Sequence, residues 1–239
     1  MMKLAAFATL AGSAAAFAPA PVAKTSTTTS LNAELNGWVP DESKFAWGLP
    51  GTIAPIENFD PLGFADGTPL SLMKRWREAE VHHGRVAMLA SLGLLITEEP
   101  FEYHPLFERA TVDIGPAIRQ LDELDAAGPY FAIFLAALIG SIEWNRALTG
   151  FSAPEGQFEF QQLKDDYYPG DTGFDPLGLK PEGAEEFAEM QTKELQNGRL
   201  AMLGAAGMIA QELVNGEEIF VNLGLATDRF DPSSVPIQF

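Results

Sequence analysis

The sequence contains no cysteine. That excludes a disulfide framework, a thiolate-held zinc or iron–sulfur centre, and a cysteine nucleophile. It is also poor in basic residues: 15 Lys and Arg against 33 Asp and Glu give a formal charge of −18. An acidic chain lacks the positive face that a phosphate backbone needs, so no nucleic-acid partner is expected. Beyond residue 32 long apolar stretches are missing too, and no uncharged run there reaches the roughly 20 residues of a simple membrane-spanning helix. What remains is 46% apolar and 20% charged over 239 residues, too hydrophobic for disorder and long enough for one domain or a tight pair.

The first acidic residue is Glu34. Before it, Lys3 precedes an apolar, Ala-rich stretch from Leu4 to Ala16, and Ala14-x-Ala16 has the small-residue spacing of a signal-peptidase site. Residues 18–32 then carry Pro19, Pro21, Lys24 and a Ser/Thr run but no acid, the composition of an organelle transit peptide. A signal peptide followed by a transit peptide resembles the two-part address of plastids acquired by secondary endosymbiosis. Ala16-Phe17-Ala18-Pro19 is similar to the junction motif of diatoms and their relatives. We therefore expect a presequence over 1–32 and a functional domain over 33–239. Removing residues 1–32 takes away Lys3 and Lys24 and no acid, so the charge of −18 becomes −20.

The domain contains an internal repeat. Phe59-Asp60-Pro61-Leu62-Gly63 is followed by Glu80-x-x-His83-Gly84-Arg85-Val86-Ala87-Met88-Leu89. Phe174-Asp175-Pro176-Leu177-Gly178 is followed by Glu194-x-x-Asn197-Gly198-Arg199-Leu200-Ala201-Met202-Leu203. Two copies of one structural unit, related by a pseudo-twofold axis, account for such self-similarity. Pro and Gly mark the first box of each copy as a turn. A helix follows each box, over about 70–96 and 184–213, and a third, charge-free at its start, is expected over 129–146 between the copies.

The apolar core after Arg85 is short enough for a buried soluble helix. The runs reach membrane length only if Glu80, Arg85, Glu194 and Arg199 lie at or inside the bilayer edge, where charges are tolerated when paired. Five residues along a helix is a rotation of about 140°, so Glu80 and Arg85 cannot face each other. In a twofold arrangement Glu80 meets Arg199 and Glu194 meets Arg85. Small residues around them (Gly84, Ala87, Ala90; Gly198, Ala201, Gly204) permit close backbones.

Glu80 and His83 share a helix face at i, i+3, as do Glu194 and Asn197. Each offers one oxygen or nitrogen donor to a hard metal whose other positions are already filled, such as the magnesium of a chlorophyll ring. Gln211 and Glu143 extend the set, with Arg146 as the expected neutralising partner of Glu143. The same Glu-x-x-His pattern also serves di-iron carboxylate enzymes, but Asn197 stands where that chemistry needs a second histidine. His82 points about 100° away from His83 and reads as a packing or surface residue.

The paired motifs, each preceded by Phe-Asp-Pro-Leu-Gly, resemble the light-harvesting chlorophyll-binding family over about residues 38–225. The plastid address and acidic composition are similar to its fucoxanthin–chlorophyll a/c branch. The resemblance implies an all-α membrane protein of three transmembrane helices, the first and third crossed about a pseudo-twofold axis. It implies chlorophyll a, chlorophyll c and fucoxanthin or related carotenoids as cofactors. Glu80, His83, Glu194, Asn197 and Gln211 are then axial ligands to chlorophyll magnesium, as is Glu143. Arg85 and Arg199 lock the helices, and the boxes around Asp60 and Asp175 lie near carotenoid head groups. Leu135 stands where plant members carry a further Gln ligand, and no His follows Gln211. His104 reads as a loop residue or an extra ligand.

The implied role is an antenna in the plastid thylakoid membrane, not an enzyme, that passes excitation to a photosystem I or II core alongside other antenna subunits. A photoprotective, energy-dissipating relative is the alternative. Residues 97–127 hold eight acids, from Glu98 to Asp125, and read as a solvated acidic loop or, facing the lumen, a proton sensor. Lys74, Arg75 and Arg77 at the start of the first helix put the N-terminus in the stroma and that loop in the lumen.

Overall fold

The structure, a computed structural model, describes residues 35–98, 100–101, 103, 115–120, 128, 130–153 and 162–227. The presequence expected over 1–32 and His104 lie outside the described residues. Four helices are present among those residues: α1 (Leu70–Thr97), α2 (Phe131–Gly150), α3 (Ala184–Asn215) and the short α4 (Ile219–Asn222), with single 3-10 turns at Phe45–Gly48 and Ala117–Arg119. The helices over 70–96 and 184–213 are therefore found within two residues of their expected ends. The middle helix is shifted: it starts after Tyr130 and runs to Gly150 rather than Arg146. It gains its last turn from Lys164, whose Nζ donates to the carbonyls of Leu148 (2.6 Å) and Thr149 (3.1 Å), where a cation meets the negative helix end.

α1 and α3 form the central pair. Their buried positions recur every three to four residues or at heptad spacing: Arg77, Val81 and Gly84 on α1, and Gln191, Leu195, Gly198, Ala205 and Glu212 on α3. The closest approach is at Gly84 and Gly198, where a Cβ built on either glycine would stand 3.0–3.1 Å from the other's Cα. Seven residues beyond Gly84, Ser91 Oγ donates to the carbonyl of Ala201 across the interface at 3.2 Å. Gly204, counted with the contact by spacing alone, faces open space. α3 ends on Gly216 at φ 70°, which returns its N–H to Glu212 and needs the left-handed backbone that glycine adopts without strain.

The ends of this pair are closed differently. Around the starts of α1 and α3, Trp38, Ala46, Leu49, Met73 and Tyr168 form the hydrophobic core, with Phe187 against it. The indoles of Trp38 and Trp47 donate to the carbonyls of Trp47 (3.0 Å) and Thr68 (2.9 Å), which fixes the N-terminal segment there. At the other end Glu98 is fully buried and accepts from Ala117 N (3.0 Å) and Ile219 N (2.8 Å), so Glu98 is no part of a solvated loop. The other seven acids between 97 and 127 lie outside the described residues.

Among the described residues α2 is the one helix long and apolar enough to cross a bilayer: 20 residues, about 30 Å. Gly150 is its one buried residue among those described. One face of α2 is half-buried at Phe131, Leu135, Glu143, Arg146 and Thr149, and the rest of this apolar helix is exposed, as suits a segment with a non-aqueous cover.

Candidate functional site

Two reciprocal ion pairs flank the glycine contact. Arg85 Nε lies 2.7 Å from Glu194 Oε1 and Arg199 Nε lies 2.7 Å from Glu80 Oε1. Each arginine then uses NH1 on a loop carbonyl: Arg85 on Gly170 (2.8 Å) and Arg199 on Gly51 (2.7 Å). The pairing that the five-residue spacing required is thus met across the helices, and each guanidinium also fastens a loop to the crossing point. Both ion pairs use Oε1 of the glutamate, and Glu80 has a second cation beside it, with Arg77 Nε 3.3 Å from its Oε2.

The neutral donors are held in a common way. His83 Nδ1 lies 2.7 Å from the carbonyl of Ala79, which makes Nδ1 the protonated nitrogen and leaves the Nε2 lone pair for a ligand. Asn197 Nδ2 donates to the carbonyl of Lys193 at 2.8 Å, one helical turn back, and its Oδ1 remains an acceptor. Both side chains are exposed on the outer face of the helix pair. Gln211 Nε2 donates to the carbonyl of Glu217 at 2.9 Å, which orients its Oε1 in the same manner.

Glu143 sits on α2 between two bases: Arg146 NH1 at 3.0 Å from Oε2 and His82 Nε2 at 3.4 Å from Oε1. Of the two readings of His82, packing or surface, the half-buried side chain fits the first, and it is a neighbour of this candidate ligand. Arg146 also binds Glu78 (Nε–Oε1 2.9 Å), a carboxylate that sequence reasoning missed. Glu78 is buried and accepts in addition from Tyr167 OH (3.0 Å) and Gly170 N (2.6 Å). One buried carboxylate thereby joins α1, α2 and the loop before the second box. Burial, then the charge of Glu78, push the Tyr167 phenol far above its ordinary value, so it acts as a neutral donor. Lys74 and Arg77, two of the three cations at the start of α1, are buried. Lys74 Nζ donates to the carbonyls of Lys164 (3.0 Å) and Asp165 (3.1 Å), and Arg77 donates to the carbonyl of Pro50.

Asp60 and Asp175 do the same local job in the two boxes. Asp60 accepts from Phe64 N (3.1 Å) and Ala65 N (2.7 Å), and Asp175 accepts from Leu179 N (3.0 Å) and Lys180 N (2.9 Å). These backbone hydrogen bonds hold both carboxyls below the ordinary aspartate value. The aspartates thus shape the turn and do not present a free carboxylate. Each ion pair borders a cavity. One, of about 610 Å³, has Arg85, Glu194, Phe174, Asp175, Lys180 and Phe187 in its wall. The other, of about 540 Å³, is bounded by Arg199, Glu80, Ile53, Ile56 and Phe59.

Among the described residues, no three His, Asp or Glu side chains converge as a self-sufficient metal centre. The donors are instead spread singly over three helices, each with a backbone tether or a cation that sets its orientation. That arrangement fits a metal already ringed by its own ligands and needing one axial bond, as in chlorophyll, and does not fit a di-iron pair.

Comparison with known proteins agrees with this chemistry. Residues 45–213 match the family described as "Chlorophyll A-B binding protein". The chain is 44% identical over 211 residues to light-harvesting complex stress-related protein 3.2 of Chlamydomonas reinhardtii, covering 87% of this chain and 79% of that one. It is 47% identical over 177 residues to a fucoxanthin-chlorophyll a-c binding protein of Isochrysis galbana, covering 73% and 80%. It is 31% identical over 218 residues to chlorophyll a-b binding protein 7 of tomato, Solanum lycopersicum, covering 87% and 77%. The repeated Glu and Arg of the paired helices, the tethered side-chain donors and these matches have one common account: the chain belongs to the chlorophyll a-b binding protein family.

Proposed function

We propose that this protein is a light-harvesting antenna of the plastid thylakoid membrane that binds chlorophyll a, chlorophyll c and fucoxanthin or a related carotenoid. The observation that carries the reading is the set of single donors on tethered side chains: His83 Nε2, Asn197 Oδ1, Gln211 Oε1, and the charge-compensated Glu80, Glu194 and Glu143. The bound pigments supply the absorption of light. The chain fixes where they stand: its backbone tethers aim the donors, and its ion pairs let carboxylates enter an apolar layer without net charge. No bond is made or broken, so the protein is not an enzyme.

In this reading α1, α2 and α3 all cross the membrane, and α1 and α3 cross each other about a pseudo-twofold axis. Residues 1–32 are a plastid-targeting presequence and the mature N-terminus is stromal. Other antenna subunits and a photosystem core receive the excitation. The absence of native cysteine makes the topology directly testable. A single Cys introduced at Ser43 is expected to react with an impermeant maleimide added to the stromal side of intact thylakoids. One at Gln120 is expected to react only after they are opened; the reverse pattern overturns the orientation.

Extraction of pigment from the protein purified in mild detergent, with its fluorescence excitation spectrum, tests the function. Chlorophyll a and c with fucoxanthin, and carotenoid bands in the excitation spectrum of chlorophyll a emission, are expected; a colourless protein refutes the proposal. The relatives named as stress-related favour a second reading, in which the protein dissipates excitation. Strongly shortened emission lifetime in the isolated, monodisperse complex selects that reading over delivery.

A further inference from the structure

The two copies of the repeat use the residue before the neutral donor differently. Counted from the matched Glu80 and Glu194, His82 is the counterpart of Gln196, and Glu78 of Thr192. Gln196 spends its amide on a loop: Nε2 donates to the carbonyl of Gly51 at 3.0 Å. His82 instead turns to α2, with Nε2 3.4 Å from Glu143 Oε1. An ionised carboxylate only accepts, so the ring nitrogen that faces it is the one that carries a proton. Both departures from the repeat, at 78 and 82, stand about one turn apart on α1 and face the same helix.

The charges around Glu143 give a second donor something to do. Arg146 is shared: its Nε lies 2.9 Å from Glu78 Oε1 and its NH1 lies 3.0 Å from Glu143 Oε2. One guanidinium therefore serves two carboxylates. Glu78 has two further donors, Tyr167 OH (3.0 Å) and Gly170 N (2.6 Å). Glu143 has, among the described residues, only its share of Arg146 and the imidazole of His82. Its side chain is 43% exposed against 4% for Glu78, so a pigment can reach it. The His82 ring also adjoins that of His83, with centroids 6.3 Å apart and planes at 85°. His83 is held by a backbone carbonyl and Glu143 by side chains, so a change at 82 acts on one candidate ligand and spares the other.

Resting on the pigment-binding reading above, with Glu143 as an axial ligand, and going beyond it, we infer that His82 is the positioning residue of that site. Its Nε2–H donates to Oε1 of Glu143, fixes the plane of the carboxylate together with Arg146, and sets how much electron density this carboxylate offers a chlorophyll magnesium. Groups that hold a metal ligand from behind change metal affinity by roughly 10–100-fold. The 3.4 Å separation is longer than the bonds of Arg146, which puts His82 at the low end, about tenfold.

The test compares the pigmented complexes of wild type, His82→Phe, His82→Gln and Glu143→Ala, purified in mild detergent, by pigment extraction and low-temperature absorption. Phenylalanine keeps an aromatic ring and gives up the donor; glutamine keeps a donor and gives up the ring. The band that Glu143→Ala removes marks the pigment on Glu143. His82→Phe is expected to shift this band and to weaken that pigment's binding about tenfold, read as its earlier loss on dilution into detergent, with the His83 band in place. His82→Gln is expected to behave as wild type. In the Glu143→Ala background His82→Phe is expected to change nothing further, since a residue that acts through Glu143 has nothing left to act on. Equal behaviour of His82→Phe and His82→Gln overturns the inference, as does a further pigment lost when His82→Phe is added to Glu143→Ala. His82→Leu carries the same comparison if His82→Phe does not assemble. Glu143→Ala that keeps every pigment overturns the inference and leaves the function standing. Wild type that binds no chlorophyll is a different result, and overturns the function itself.

Discussion

At the scale of single residues, Glu78 is the most committed side chain. It takes hydrogen bonds from Arg146, Tyr167 and Gly170 inside the protein. Truncation leaves the Tyr167 phenol and the Gly170 N–H without their acceptor and strips the half-buried Arg146 of one of its two carboxylates, and breaking a buried charge network of this kind costs about 3–5 kcal/mol. Glu78→Ala is therefore expected to lower the thermal stability of the folded complex far more than Glu189→Ala, whose exposed pair with Lys193 is worth little. Circular dichroism melts of the two variants check this. Asp175 supports a pH prediction. Its folded-state pKa is depressed by the N–H groups of Lys180 and Leu179, below the ordinary 3.8. Its contribution is thus complete above the unfolded value and lost as pH falls through the folded one. The melting difference between wild type and Asp175→Asn is expected to be constant above about pH 5 and to shrink below 3.8. A difference that grows on acidification contradicts the assignment.

At the scale of elements, the contact of α1 with α3 is set by two glycines. A methyl group at either would stand 3.0–3.1 Å from the backbone of the other helix, which cannot rotate away as a side chain can. Gly84→Ala and Gly198→Ala are each expected to cost about 1–3 kcal/mol, measurable as earlier pigment release on heating. Gly204→Ala, which meets nothing within 4 Å, is expected to be neutral or stabilising through helix propensity. These elements were legible in the sequence because the repeat carries its own logic: a five-residue Glu–Arg spacing that fails within one helix must be met between two. Glu78 was not legible for the same reason. Its counterpart in the second copy is Thr192, so the duplication marks it as ordinary. The loop contacts of Lys74 and Arg77 were not legible either, because charge bias counts cations without showing which of them bind loop carbonyls. The unequal loops, eight residues between Gly51 and Asp60 against four between Gly170 and Asp175, escaped notice because Gly51 and Gly170 lie outside the shared boxes, and the arginine contact that equates them exists only in three dimensions.

At the scale of the whole molecule, three helices are joined by two kinds of attachment. α1 and α3 meet along their length through backbone and small side chains. α2 reaches α1 through side chains near its own end, Arg146 with Glu78 and Glu143 with His82. Arg146→Ala is accordingly expected to leave the α1–α3 pair folded while α2 loses its place. In pigment terms, occupancy at Glu143 is expected to fall by about tenfold or more, with the sites at His83 and Asn197 retained. Absorption difference spectra against Glu143→Ala and His83→Ala variants separate these outcomes, since the Arg146→Ala spectrum is expected to resemble that of Glu143→Ala.

A rod clamped near one end is a lever. α2 extends about 30 Å, and its described ion pairs, at Glu143 and Arg146, lie about 20 Å from its first residue, so each degree of rotation at that clamp moves the far tip by about a third of an ångström. The coupling between two dipoles falls steeply with their separation, so angular play at a few hydrogen bonds becomes spread in transfer rates at the far end. Glu78 and Arg146 thus act as the bearing of the instrument: the stiffness of their joint sets the tolerance to which everything carried on α2 is aligned.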